Sequence, residues 1–131
     1  MIILAAALLA AATADCDGDT TAQIEACLAD GFAAADAELN RYYAAAVRRL
    51  TSEKHTEALT QLRRAETAWI AYRDAECGAV RTWWSPGSIS GAEATTCRIR
   101  ITQARTSTIW RDWLTYADST PPIRPRPVSP D

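Results

Sequence analysis

From Ile24 to Val80 the apolar residues return at spacings of three and four, and one short break interrupts them. That period belongs to helices and excludes the alternation of a strand. Ile24, Leu28, Ala35, Leu39, Tyr42, Ala46 and Leu50 define the first stripe, and Thr20 with Gln23 supplies a capping box ahead of it. A first helix is expected from about Thr20 to Leu50. Gly31 sits inside it at a cost of about 1 kcal/mol relative to alanine, which points to close packing of another backbone there. Thr51 and Ser52 form the break and offer a cap to a second helix, expected from about Glu53 to Val80. A connection this short makes the two helices antiparallel neighbours.

Beyond Gly78, the stretch Arg81 to Ile89 combines turn residues with adjacent tryptophans, Trp83 and Trp84, followed by Ser85, Pro86 and Gly87. A loop is expected here, with at least one indole partly exposed. Ser90 with Glu93 then reads as a second capping box, opening a third helix through Cys97, Ile101, Ile109, Trp113 and Tyr116 to about Ala117. From Asp118 the chain holds five of its six prolines and no periodic apolar residues, so an extended, mostly disordered tail is expected over 118–131. The fold class expected is therefore all-α: a three-helix bundle on a long antiparallel helical hairpin, with its single domain over 15–117.

Residues Ile2 to Ala12 are all apolar and lead into Ala12-Thr13-Ala14, the small-x-small pattern of a signal peptidase site. A signal peptide over 1–14, cleaved after Ala14, implies a periplasmic or secreted protein. The run is too short to span a membrane, so no stable membrane insertion is expected. Asp15 occupies the position where a lipoprotein signal needs a small neutral residue, which favours Cys16 as a disulfide partner. Four cysteines without a Cys-x-x-Cys pattern then read as two structural bridges. Cys27 and Cys77 each lie 25 residues from Ser52, at opposite sides of the turn. At 1.5 Å per residue both stand about 37 Å from it, which pairs Cys27 with Cys77 and leaves Cys16 for Cys97.

Few chemistries remain open. One histidine, His55, gives little to build a metal cage or a histidine-based triad, and no glycine-rich phosphate loop or nucleophile motif is present. No catalytic residue, metal or cofactor is expected. The seven acidic residues from Asp15 to Asn40 stand without a basic one, and all fourteen Lys and Arg follow from Arg41 onward. The acidic run would repel nucleic acid and suits a cationic partner. Arg41, Arg48, Arg49, Lys54, Arg63 and Arg64 flank the hairpin turn, so a second reading is an envelope adaptor module whose Arg-rich tip meets anionic surfaces.

Trp69, Arg73 and Cys77 recur every four residues and form one helical ridge, flanked by Glu66 and Tyr72. Trp69 is expected as a core anchor and Arg73 as a partly buried cation paired with a carboxylate, with Glu66 a candidate partner one helical repeat away. In order, Cys16, Cys27, Leu39-Asn40-x-x-Tyr43, Trp69-x-x-Tyr72-Arg73-Asp74-x-x-Cys77, Cys97 and Thr102-x-x-Arg105 resemble the LprI-type lysozyme inhibitor family. The resemblance runs to about Ile109. Glu66 departs from it, standing where a glutamine is usual. The family implies a small, exported, cysteine-bridged helical domain that binds and inhibits lysozyme without catalysis. With a lysozyme as protein partner, Trp83, Trp84 and Ser85 are the expected contact residues, because a loop at a rigid, bridged end enters a cleft with little ordering cost. Leu39, Asn40, Tyr43, Glu66, Trp69, Tyr72, Arg73 and Arg105 are expected to form the scaffold.

Overall fold

The computed structural model describes residues 15–128; the expected signal segment 1–14 and residues 129–131 lie outside the described residues. Among the described residues the secondary structure is three helices, α1 (Thr21–Ser52), α2 (Thr56–Trp84) and α3 (Ser90–Trp113), as the apolar spacing predicts. The capping box at the start of α1 forms in both directions. The Gln23 N–H donates to the Thr20 hydroxyl oxygen at 3.2 Å, and the Thr20 N–H donates to the Gln23 side-chain oxygen at 3.1 Å.

The other two expected caps do not form. Thr51 and Ser52 stay on α1, where their hydroxyls donate back to the carbonyls of Val47 at 2.7 Å and Arg49 at 3.0 Å. The turn itself is made by Lys54 at φ 61, in a Schellman arrangement: the His55 N–H donates to the Leu50 carbonyl at 2.9 Å and the Lys54 N–H to that of Thr51 at 3.2 Å. Neither α2 nor α3 has a side-chain N-cap; α3 starts after Ile89, and Ser90 lies within it. At its other end α2 runs on through Trp83 and Trp84, so both tryptophans belong to its last turn and only Ser85 to Ile89 connect the helices. α3 ends at Trp113, short of Ala117, because Arg49 reaches across from α1 and donates from Nη1 to the carbonyls of Trp113 at 2.8 Å and Thr115 at 2.9 Å. A cation at a helix C-terminus also meets the negative end of its dipole.

α3 packs along α1 and against α2, whereas α1 and α2 touch little. α3 runs parallel to α1: Glu25 stands beside Gly91, Gly31 beside Ile99, and Arg49 beside Trp113. This arrangement corrects the cysteine pairing. The bridges are Cys16–Cys27 and Cys77–Cys97, each with a Cα separation of 5.6 Å. Equal distance from the first turn does not join Cys27 to Cys77, because α1 and α2 touch little and each packs instead on α3. The same level argument applied to the second turn does hold, since Cys77 and Cys97 are each ten residues from Gly87.

The main core gathers Leu39, Tyr42, Ala46 and Leu50 of α1, Leu62 of α2, and Ile109 and Leu114. A smaller cluster forms around the Cys77–Cys97 bridge and Ile101. Trp69 packs against both, which makes it the anchor its spacing suggests. Gly31 meets no backbone: a Cβ there would sit 3.4 Å from the Ile99 side chain, in ordinary contact. The small residue marks a groove instead.

Residues 123–128 lie along the seam between α1 and α3, in a part of the chain where composition points to a mostly disordered end. The chain turns back after α3, with the Ile123 N–H donating to the Leu114 carbonyl at 2.9 Å. The Tyr42 hydroxyl donates to the Pro125 carbonyl at 2.7 Å, and the Trp110 indole N–H to the Arg124 carbonyl at 2.9 Å. Arg124 covers the Tyr42 ring at 5.3 Å and Arg126 the Trp110 ring at 5.7 Å. Proline pre-sets an extended backbone whose carbonyls remain free for such donors. Docking of this kind leaves no apolar period to read.

Candidate functional site

The α2–α3 connection is short because Gly87 lets it be: a Cβ at this position would stand 2.8 Å from the Trp84 carbonyl oxygen. The Ser85 N–H donates to the Thr82 carbonyl at 3.1 Å and so ends α2. The Cys77–Cys97 bridge clamps the two helices two turns below. On this braced apex Trp83 is 83% exposed, Trp84 43% and Ile89 42%. A side chain as apolar as Trp83 rarely projects so far from a fold without a partner to cover it.

The acidic end of the chain arrives at the same place. Glu25 lies against Gly91 in the first turn of α3, where a helix dipole favours an anion. Asp17 and Asp19 precede α1, and the Cys16–Cys27 bridge folds that segment back along it. Asp17, Asp19 and Glu25 are exposed, and none of them is in an ion pair among the described residues. The apex therefore combines exposed indoles with exposed carboxylates outside any ion pair, and Arg81 in the last turn of α2 is an exposed cation beside them.

Below the apex, Arg73 ties α2 to α1 and the Glu66–Arg105 pair ties α2 to α3. The Arg73 side chain is 11% exposed and meets Asp74 at 3.2 Å and Asp36 at 3.7 Å, between the rings of Trp69 at 5.0 Å and Phe32 at 5.3 Å. Glu66 is not its partner. Glu66 Oε2 takes Arg105 Nη2 at 2.9 Å and Nε at 3.0 Å across the α2–α3 interface. Glu66 and Arg73 stand seven residues apart on α2, beyond the three- and four-residue spacings at which helix side chains meet, and Arg73 is taken up by Asp36 and Asp74. Leu39 is buried in the main core, Tyr43 packs half-buried against it, and Asn40 and Tyr72 are exposed. No group of three or more His, Cys, Asp or Glu among the described residues could hold a metal ion.

At the opposite end Arg41, Arg48, Lys54, Arg63 and Arg64 are exposed, while Arg49 is used internally. A feature absent from the sequence reading is a groove of about 520 Å³ between the first half of α1 and α3, continuous with the bed of the tail. The run of small residues Gly31, Ala34 and Ala35 is the signal that could have found it.

A family model described as lysozyme inhibitor LprI matches residues 12–109. The chain belongs to the LprI family. No curated protein and no solved structure matches it. The LprI match takes in both bridges, the Glu66–Arg105 pair and the tryptophan apex, and it stops before the tail. Two disulfides are the chemistry of an oxidising compartment, and no helix among the described residues is long and apolar enough to cross a membrane.

Proposed function

We propose that this protein is an exported, non-catalytic inhibitor that binds a lysozyme and blocks its glycan-binding cleft. Trp83, Trp84 and Ser85 form the part that enters the cleft. The observation that carries this reading is the 83% exposure of Trp83 on a disulfide-braced apex beside unpaired carboxylates, in a chain of the LprI family. A rigid apolar wedge loses little conformational freedom on binding, and flanking carboxylates steer a cationic enzyme toward it. The indoles supply contact area and the carboxylates speed encounter.

The test is lysis of a peptidoglycan suspension by several lysozyme types, with and without the oxidised chain from Asp15 onward. Stoichiometric suppression of one type is expected. Trp83→Ala with Trp84→Ala should weaken it by about thirtyfold, the usual loss at a hot spot of about 2 kcal/mol, with the unfolding midpoint unchanged. Full inhibition by the folded double variant would remove the apex from the interface. No suppression of any lysozyme would end the inhibitor reading. Binding to anionic vesicles, lost in Arg48→Glu with Arg63→Glu, would then support the adaptor reading; Arg49 is avoided because its loss uncaps α3.

A further inference from the structure

The groove between α1 and α3 is half filled. Its lower half holds the chain's own Arg124–Pro127, an extended segment read by two side-chain donors and two aromatic faces. Its upper half, about 520 Å³, runs from Val128 to the Cys16–Cys27 bridge and has no occupant among the described residues. The upper half shares one element with the lower, a side-chain donor on α3, and replaces the aromatic faces with an apolar floor and carboxylates. Gln103 lies two helical turns before Trp110 on α3, faces the groove, and its side-chain amide makes no hydrogen bond among the described residues. It stands where Trp110 stands in the filled half, as a donor for a backbone carbonyl. The floor is apolar, from Leu28, Ala35 and Ile99. The charged groups lining it are Asp30 and Glu38, both carboxylates and both without an ion pair among the described residues.

We infer that the upper α1–α3 groove is a binding site for a short, extended, basic peptide segment of a partner protein, laid along the line the tail already follows. Its alternating aliphatic or proline residues meet Leu28 and Ile99, its basic side chains meet Asp30 and Glu38, and Gln103 pairs with its backbone. The length is set by α1. From Cys27 to Glu38 the helix rises about 16 Å, which about five residues of extended chain span. The volume lies within the usual range of ligand sites. This site is separate from the tryptophan apex, and it stands whether or not the protein inhibits a lysozyme.

Fluorescence anisotropy of the full oxidised chain with a labelled Arg-Pro-Val-Arg-Val peptide tests it, with Glu-Pro-Val-Glu-Val as the charge-reversed control. The basic peptide should saturate and the acidic one bind at least about tenfold more weakly. Ala34→Trp places an indole in the groove from an exposed helix position and should abolish binding while helix content stays unchanged. Asp30→Asn with Glu38→Gln keeps the shape and should weaken the basic peptide by about tenfold, so the test survives even if the tryptophan variant misfolds. Equal binding of both peptides would overturn the site, as would undiminished binding by both variants. Decyltrimethylammonium below its micelle concentration is the remaining arm: its binding here, without binding of the peptide, would replace the peptide by a small amphiphile and refute the proposal.

Discussion

Arg105 is anchored by one carboxylate oxygen. Its side chain is 14% exposed and that of Glu66 13%, and both Nε and Nη2 reach Glu66 Oε2. Nη2 lies at ion-pair distance without a directed hydrogen bond, so Glu66 is the one carboxylate that compensates this largely buried cation among the described residues, beside the Trp69 ring at 5.9 Å. Removing one member of such a pair leaves the other charge desolvated, which costs more than the pair itself contributes. Glu66→Ala should therefore lower stability in urea denaturation by about 3 kcal/mol, and Glu66→Gln by less, since an amide oxygen still accepts from the guanidinium. Equal losses in the two variants would mean that packing, not charge, holds α2 on α3 here. Lys54 acts in the opposite sense. Its φ of 61 is a conformation that costs a residue with a Cβ about 1 kcal/mol, so Lys54→Gly should raise the urea midpoint by a corresponding amount. The cationic character of the tip would persist through Arg48, Arg63 and Arg64.

At the scale of elements, the α2–α3 hairpin is a braced unit and the brace is its bridge. Cys77 and Cys97 close a loop of 20 residues within a cluster that also holds Ile101. Loop closure of this length stabilises by about 3 kcal/mol in the chain-entropy account. Cys77→Ser with Cys97→Ser should cost at least that and should speed amide exchange at Trp83 to Ile89. Cys16→Ser with Cys27→Ser should leave the apex amides unchanged, because that bridge ties only the segment before α1. Equal loosening of the apex by both pairs would contradict the division. The hairpin also shows what was legible from residues alone. The three helices could be read because many positions repeat one period, and Trp69 because it sits on that ridge. The pairing of cysteines could not, since two turns each place a pair at equal height and only the packing of α3 chooses between them. The caps expected at the starts of α2 and α3 failed for a related reason: a Ser or Thr hydroxyl serves equally as an N-cap or as a donor to the carbonyl four residues back, as Thr51 does. Glu66 chose Arg105 over Arg73 through interhelical packing, which sequence spacing does not contain.

On the scale of the whole molecule, α3 joins everything, and the tail closes the side of the bundle where α1 and α3 meet. Tyr42 is the fastening. Its ring belongs to the main core while its hydroxyl donates to the Pro125 carbonyl. Burial raises its pKa above the ordinary tyrosine value of 10.0, and Glu38 adds to the rise against the opposing pull of Arg124 and Arg41. The folded protein thus holds this proton more tightly than the unfolded chain. Stability from this source is complete below the unfolded value near 10 and is lost as pH climbs through the higher folded value. Ionisation also removes the proton that Tyr42 gives to Pro125, so the tail should detach in the same window. Trp110 reports on it directly, because its indole N–H donates to Arg124 in the same segment. Its fluorescence should therefore change in the native protein above pH 10, ahead of global unfolding seen by far-ultraviolet circular dichroism. In Tyr42→Phe the tail should be looser at neutral pH and the alkaline step absent. An unchanged alkaline step in Tyr42→Phe would assign the transition to another group. Because Pro127 and Val128 form one wall of the upper groove, release of the tail should also widen it, coupling the ionisation of one core tyrosine to the shape of a site two turns away.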